Sequence, residues 1–372
     1  MGGQRLAIGL MSGTSMDGVD VAAIETDGRV VSEFGPTLFR PYSDAERDTL
    51  RAALAVAPGV ASRAERPAEL AVAERVVTDA HVDAVKTFLE ANGLTAQDVA
   101  VIGFHGQTVF HAPARRITVQ LGDGLALARA IGAPVVYDFR AADVAAGGEG
   151  APLVPIYHAG LVAHSDLPRP VAVLNIGGVA NLTFVGAGAA GEADLLAFDC
   201  GPGNALLDDW CLKRTGRSFD PDGRLAAKGR VDEGIVAELL AHPFFALAAP
   251  KSLDRNAFSA AAVERLATED GAATLTAFTA AAVAAGLERL PTPPQTLVVA
   301  GGGAHNPTML GMIAARSGVR VVPASEIGWS TDFLEAQAFA HLAVRHLEGL
   351  PLSFPGTTGV RVPMRGGVSA RA

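Results

Sequence analysis

The first part of the chain alternates between short apolar runs and a small polar segment. Leu6–Ile8 and Val21–Ile24 are apolar, and most residues between them are small or polar. An apolar run, a small polar turn and a second apolar run are typical of a β-hairpin. The pattern returns about half a chain later, where Val171–Ile176 and Leu182–Val185 flank a Gly-Gly pair. We therefore predict two similar halves that present glycine turns to one cleft.

The rest of the pattern predicts strands that lead into helices. In the first part, strands are predicted near 5–11, 19–26, 29–34, 99–104, 117–121 and 134–137, and helices near 44–56, 66–92 and 123–131. In the second part, strands are predicted near 171–177, 181–186, 195–199 and 297–300, and helices near 204–215, 232–241, 271–288 and 332–347. This order indicates an α/β fold, and the hairpins require partly antiparallel sheets. The Gly-rich segment 143–152 is predicted to be a hinge.

Composition narrows the class of protein. The 372 residues are 49% hydrophobic and 19% charged, with 42 glycines and 22 prolines, which fits two compact α/β domains. The net charge of −9 and the absence of a Lys/Arg cluster make nucleic acid an unexpected partner. Cys200 and Cys211 are the only cysteines, so we expect no disulfide framework and, without a signal peptide, a cytoplasmic location. No apolar run approaches about 20 residues, so we expect no membrane span.

The turn of the first hairpin carries residues suited to phosphate. Seven of its nine positions from Ser12 to Asp20 are glycines, hydroxyl residues or carboxylates. Glycines let backbone N–H groups approach an anion, and the Asp17 carboxylate can hold Mg²⁺ through water. The Walker pattern is absent, so this interpretation requires a phosphate loop built on a hairpin. An ordinary Gly/Ser hairpin is the alternative.

Asp199 is the strongest candidate for catalysis. It ends an apolar strand, and Gly201-Pro202-Gly203 turns the chain into a helix. Ligands of α/β proteins bind outside the carboxyl ends of strands, where a carboxylate can act as general base. Capping of the following helix is the alternative, for which Gly203 and Asn204 are better placed.

Other polar residues near strand ends are candidates for ligand binding. Gly301-Gly302-Gly303 can contact a phosphate or an adenine edge, or can simply form a tight turn. Arg140 can clamp an anionic group or make a structural salt bridge, and the two are equally expected. Glu335 begins the last long helix, where a carboxylate is favourable without any function. The segment 251–255 is expected to be a solvated loop.

The segment 105–108 suggests recognition of a polar ligand. His105, Gln107 and Thr108 are the residues expected to take part. A metal site that pairs His105 with His111 is not expected, because the two lie about 20 Å apart along a strand at ~3.3 Å per residue.

Together these motifs resemble the anhydro-N-acetylmuramic acid kinase family. The resemblance runs nearly end to end and covers 9–20, 105–108, 138–140, 145–155, 175–178, 198–204, 301–306 and 335–336. It implies a two-domain actin-like ATPase (ribonuclease H-like) fold, with mixed sheets and an interdomain cleft. The predicted domains are 1–143 with 345–372, and 144–344.

The resemblance also implies a reaction. In it, Asp199 activates a water that opens the anhydro bridge of 1,6-anhydro-N-acetylmuramic acid. Oxygen O6 receives the γ-phosphoryl group of ATP, with Mg²⁺ as cofactor, giving N-acetylmuramic acid 6-phosphate in cell-wall recycling. A homodimer is expected only because such dimers are the commonest homo-oligomers.

The residue roles that follow fall into three groups. The catalytic pair is Asp199 and Glu335. The expected ATP-binding residues are Gly13, Thr14, Ser15, Met16, Asp17, Gly18, Val19, Asp20, Gly177, Gly178, Asn181, Gly301, Gly302 and Gly303, with Asp17 also holding Mg²⁺. The expected substrate-binding residues are His105, Gln107, Thr108, Arg140 and Gly201.

Three other functions stay open at this point. A relative that phosphorylates levoglucosan would use the same chemistry on another 1,6-anhydrosugar. An actin- or Hsp70-like ATPase switch would hydrolyse ATP without any sugar. A sugar-binding regulator would keep the fold without the activity, and the intact Asp199 and 13–20 turn count against it.

Overall fold

The computed structural model of the chain describes residues 3–13, 15–188, 194–255 and 257–372. They form two compact units. Unit 1 comprises the described residues up to Ser165 together with Phe333–Ala372, and unit 2 comprises those from Asp166 to Asp332. Each unit carries helices on one mixed sheet, which confirms the predicted α/β fold with mixed sheets.

The described residues contain runs of strands interspersed with helices. In chain order the strands are β1 (Arg5–Ser12), β2 (Gly18–Thr26), β3 (Val31–Pro41), β4 (Val101–Ala112), β5 (Ile117–Leu121), β6 (Val135–Tyr137), β7 (Val171–Ile176), β8 (Val179–Val185), β9 (Leu195–Pro202), β10 (Thr296–Ala300), β11 (Arg320–Pro323) and β12 (Val368–Ala370). The α-helices are α1 (Asp44–Val56), α2 (Ala68–Ala91), α3 (Gly124–Ile131), α4 (Ala141–Ala146), α5 (Pro155–Ala163), α6 (Ala205–Thr215), α7 (Glu233–Leu240), α8 (Thr268–Leu287), α9 (Pro307–Ser317), α10 (Leu334–Leu347) and α11 (Pro355–Thr358).

The two sheets share a topology. In unit 1, β1–β2–β3 form an antiparallel meander, and β4 and then β6 add parallel strands beside β1. In unit 2, β7–β8–β9 form the same meander, and β10 and then β11 add parallel strands beside β7. Unit 1 extends this plan with β5 and β12. The repeated order agrees with the two similar halves predicted from the hairpins.

Helix α10 belongs to unit 1 because two glycines bring it against the sheet. A Cβ atom on Gly9 of β1 would lie 1.8 Å from the Ala336 carbonyl oxygen. A Cβ atom on Gly103 of β4 would lie 2.0 Å from the Phe339 carbonyl oxygen. The boundaries between the units lie after Ser165 and before Phe333, so that all of α10 belongs to unit 1. The boundaries predicted from sequence are 143/144 and 344/345.

The segment predicted as a hinge, 143–152, lies inside unit 1. Its first residues form α4, and the buried Asp143 carboxylate fastens the segment. One oxygen accepts the Gly150 N–H at 2.6 Å, and the other accepts the hydroxyls of Ser353 and Thr358. Because these bonds join 143–150 to the C-terminal part of the same unit, the segment does not separate the two units.

Helix α8 is the centre of the unit 2 core. By length and composition alone its residues could cross a membrane, but 83% of its apolar window is buried inside the structure. Small residues allow close packing: a Cβ on Gly286 would lie 2.7 Å from the Cys200 Cβ atom of β9. Burial on this scale is typical of a core helix in a globular unit.

Candidate active site

A buried network holds the turn that follows β1. The Ser12 hydroxyl donates to Gln107 Oε1 at 2.5 Å and lies 3.0 Å from the Tyr42 hydroxyl. The Gln107 amide nitrogen donates to the Gly13 carbonyl at 3.0 Å. Gln107 is only 1% exposed, and both of these hydrogen bonds of its amide are to residues of the turn. Its predicted contact with substrate stays a prediction, and turn support is the role that the structure gives it.

The predicted ATP-binding residues of this turn differ in exposure. Ser15 and Asp17 are exposed, whereas Val19 lies in the core of unit 1. A Cβ on Gly18 would lie 2.3 Å from the Arg40 carbonyl oxygen, so this glycine permits close strand pairing. Thr14 lies outside the described residues. Met16 has a left-handed backbone with φ of 56°, and Asp20 is half-buried on β2.

Metal binding at this turn would rest on few protein ligands. Within the ranges that the structure describes, no group of three or more His, Cys, Asp or Glu side chains could hold a metal ion. Asp17 is exposed and is the only carboxylate between Gly13 and Asp17. A carboxylate on an open turn fits Mg²⁺ that takes its remaining ligands from water and phosphate oxygens.

Unit 1 contains a cavity of about 260 Å³ beside β4. Its lining includes three predicted substrate-binding residues: His105, Thr108 and Arg140. Met11, Ser12, His111 and Ala151 complete the lining, and none of them was predicted to bind the sugar. The volume suits one sugar ring rather than a polymer, and the mixture of apolar and hydrogen-bonding groups is typical of small-molecule sites.

Arg140 is fixed on three sides. One terminal nitrogen donates to the Gly150 carbonyl at 2.9 Å, and the rest of the guanidinium donates to His105 Nε2 at 3.1 and 3.3 Å. The guanidinium carbon lies 5.9 Å from the centre of the Phe339 ring. Burial and the Arg140 charge hold the pKa of His105 well below its usual range. A neutral His105 therefore accepts from Arg140 and leaves the positive charge in the cavity.

Glu335 is the first acidic residue of α10 and interacts with Arg140. Burial raises the pKa of the Glu335 carboxyl, and the Arg140 charge opposes that shift. The same burial lowers the pKa of Arg140, and Glu335 opposes this in turn. The two groups thus stabilise each other's charges within unit 1, a coupling that the sequence pattern did not reveal.

In unit 2, the turn between β7 and β8 caps helix α6. The Gly177 carbonyl accepts the Asn204 N–H at 2.8 Å, and the Gly178 carbonyl accepts the Gly203 N–H at 2.9 Å. The Asn204 side chain makes no capping bond and donates to the Ile176 carbonyl at 3.3 Å. The glycine turn thus contributes carbonyl oxygens to the helix start. Its predicted contact with phosphate stays a prediction.

Asp199 is held by donors on both carboxylate oxygens. Asn181 Nδ2 on β8 donates to Oδ1 at 2.9 Å, and the Leu253 N–H donates to Oδ2 at 2.7 Å. Burial raises the pKa of Asp199, while these two bonds and the Lys251 charge lower it. The structure therefore presents an oriented carboxylate whose proton affinity lies above that of an exposed one, as a general base requires.

Near Asp199, the segment 251–255 contacts the carboxylate strand, and Gly201 has a packing role. The segment 251–255, expected to be a solvated loop, instead lies against Asp199: besides the Leu253 contact, the Lys251 carbonyl accepts the Asp199 N–H at 2.9 Å. Gly201 is buried, and a Cβ there would lie 2.5 Å from the Ala282 Cβ atom, so the glycine allows α8 to approach β9. Its predicted contact with substrate stays a prediction.

One of the three glycines after β10, Gly302, borders a second cavity, of about 490 Å³, within unit 2. Gly302 is exposed in its lining, whereas Gly303 is buried against Ile176. Gly301 has a φ of 76°, and a Cβ there would lie 2.4 Å from Asn175 Oδ1. The other lining residues, none of which was predicted to bind ATP, are Asn204, Leu207, Asp208, Ser218, Phe219, Asp220, Pro221, Asp222, His305 and Asn306. The aromatic ring and acceptor oxygens of this lining suit a nucleoside.

Comparisons with known proteins show which family the chain belongs to. Residues 5–371 match the model of the family described as anhydro-N-acetylmuramic acid kinase. A protein of that name from Methylobacterium nodulans is 57% identical over 375 residues, covering 98% of this chain and 99% of its own. One from Rhodopseudomonas palustris is 56% identical over 366 residues, with the same coverage of both chains. Component A of the Acidaminococcus fermentans (R)-2-hydroxyglutaryl-CoA dehydratase aligns over 92% of this chain and 98% of its own, with 12% identity and a TM-score of 0.47. The chain belongs to the anhydro-N-acetylmuramic acid kinase family.

Proposed function

We propose that this protein opens the anhydro bridge of 1,6-anhydro-N-acetylmuramic acid and phosphorylates the released O6, in murein recycling. Membership of the family makes it a kinase for that sugar. The observation that carries the reaction is the Asp199 carboxylate, which is oriented by two donors and has a raised pKa. Such a group can take a proton from water at neutral pH.

The reaction combines hydrolysis of the anhydro bridge with phosphoryl transfer. Asp199 accepts a proton from water as the water oxygen attacks the anomeric carbon and the bond from that carbon to O6 breaks. O6 then attacks the γ-phosphorus of ATP, and the bond to the ADP oxygen breaks. The product has gained one water and one phosphoryl group. Positioning and neutralisation of charge supply most of the acceleration of phosphoryl transfer.

We assign the two cavities to the two substrates. The unit 2 cavity, bordered by Gly302, is large enough for the nucleoside of ATP. The unit 1 cavity carries the Arg140 charge, which complements the lactyl carboxylate of the muramic sugar. Levoglucosan lacks that carboxylate, so the buried cation favours the muramic substrate. Mg²⁺, when bound, would neutralise phosphate charge, and Asp17 would hold it through water. A homodimer, a cytoplasmic location and the absence of nucleic-acid and membrane partners stay predictions.

The test is ATP consumption by the purified protein with either anhydrosugar, followed by mass analysis of the sugar. We expect turnover with the muramic sugar and a product heavier by one phosphoryl group and one water. Turnover with levoglucosan alone would change the substrate and keep the mechanism. ATP loss without either sugar would favour an ATPase switch. Full sugar phosphorylation by Asp199→Asn would exclude Asp199 as the base.

A further inference from the structure

A β-bulge aligns Asn181 with Asp199. Strands β8 and β9 pair Ala180 with Gly201, so a regular antiparallel ladder would place Asn181 opposite Cys200. The register instead shifts between Ala180 and Asn181, and Asn181 pairs with Asp199. Cys200 is buried against α8. The extra residue in β9 thus re-aims one side chain, a role that bulges often have next to active sites.

Two hydrogen bonds, one on each oxygen, fix the orientation of the Asp199 carboxylate. Asn181 Nδ2, which precedes Asp199 in the chain, donates to Oδ1 at 2.9 Å, and the Leu253 N–H, which follows it, donates to Oδ2 at 2.7 Å. A side-chain donor can be removed by substitution, whereas the Leu253 donor belongs to the backbone. Asn181 is thus the part of this arrangement that can be tested.

We infer that Asn181 is a positioning residue that fixes the orientation and charge of the Asp199 carboxylate. This rests on the proposed function, in which Asp199 is the base, and it differs from the contact with ATP expected from sequence. A hydrogen bond to the charged form of a carboxyl favours that form. The other charged or titratable groups that act on Asp199 are the Lys251 amine and the Cys200 thiol. The Lys251 amine donates to the Phe244 carbonyl and the Cys200 thiol to the Ala180 carbonyl, so neither is held by the Asn181 side chain.

The variant Asn181→Leu removes the donor and keeps a branched side chain. Thr183→Val is the matched control, because Thr183 is fully buried two residues along β8 and its hydroxyl has no partner within the described ranges. The first readout is the ¹³C titration of the Asp199 carboxyl in labelled protein, assigned by its loss in Asp199→Asn. We expect Asn181→Leu to raise the Asp199 pKa by about one unit, a tenfold change in proton affinity. Thr183→Val is expected to leave it unchanged.

The second readout is the pH profile of kcat/KM. In Asn181→Leu the acidic limb is expected to move to higher pH, with kcat lowered at least about tenfold and KM for ATP within twofold of the parent. An unchanged titration and profile would overturn the inference, and so would a raised KM for ATP with unchanged kcat, which would make Asn181 a nucleotide contact. Full activity of Asp199→Asn would instead exclude Asp199 as the base, and the titration would still decide whether Asn181 holds the carboxylate.

Discussion

At the scale of single residues, Arg140 is the group whose geometry is most demanding. Its guanidinium donates to the Gly150 carbonyl and to His105 Nε2 at once, which one ammonium group cannot reproduce. We expect Arg140→Lys to raise KM for the muramic sugar on the order of tenfold and to leave KM for ATP unchanged. Initial-rate kinetics would measure both. Arg115→Lys is the control, because Arg115 donates to the Pro58 and Val60 carbonyls away from the cavity; an equal effect in both variants would contradict the assignment.

Single residues also show what the sequence could and could not predict. Asp199 was predictable because a carboxylate at the end of an apolar strand, before a Gly-Pro-Gly turn, has a local signature. Its donors were not, because the Leu253 N–H comes from a loop more than fifty positions later. Gln107 is a residue type that often contacts ligands, yet in the structure it is buried and its amide donates to the Gly13 carbonyl. Only the tertiary structure distinguishes these cases.

At the scale of secondary-structure elements, the contact of α10 with the unit 1 sheet depends on missing Cβ atoms. We expect Gly103→Ala to lower the free energy of unfolding by about 3 kcal/mol, because the new methyl would overlap the Phe339 carbonyl of a closely packed helix. Denaturant unfolding would measure the loss. Gly59→Ala is the control, since a Cβ there meets nothing within 4 Å. Equal stability of the two variants would show that α10 can shift at little cost.

Elements were predicted well where the apolar pattern was continuous and poorly where it was not. Both hairpins follow from apolar runs around glycine turns. Strand β3 extends to Pro41, beyond the predicted 34, because its exposed edge alternates without a clear apolar face. Strands β11 and β12 span four and three residues, too short for a periodic signal. Helix α4 lies in a segment of linker composition, and the buried Asp143 is what holds it there.

At the scale of the whole molecule, the two units differ in their buried titratable groups. Burial lowers the pKa of His81 to about 4 and of His158 to about 3, and holds those of His105 and His341 well below the usual range. All four belong to unit 1. In unit 2, burial raises the pKa of Asp199, and it raises that of Asp208 to about 6. The units should therefore respond to acid in opposite directions.

Whether acid stabilises or destabilises a unit depends on which of its states, native or unfolded, binds more protons. Below pH 6.5 the unfolded imidazoles bind protons that the native ones exclude, so unit 1 loses stability as pH falls. At pH 5 the loss is about 2 kcal/mol for each imidazole that stays neutral. The raised pKa values of Asp138 and Glu335 oppose part of it. As the pH falls, the carboxyls of native unit 2 take up protons at a higher pH than the same groups in the unfolded chain. Protonation therefore stabilises unit 2 over the same range.

We therefore expect hydrogen exchange, corrected for its intrinsic pH dependence, to show that amides of unit 1 lose protection between pH 7 and pH 5 before those of unit 2. The variant that tests the cause is His158→Leu, because both ring nitrogens of this buried residue lack partners among the described residues. Its protection in unit 1 at pH 5 should exceed that of the parent, with a smaller difference at pH 7. His164→Leu, at the exposed end of the same helix, should leave the pH dependence as it is. If both units lost protection together, or if His158→Leu had no effect at pH 5, the buried imidazoles would not be what limits the stability of unit 1 in acid.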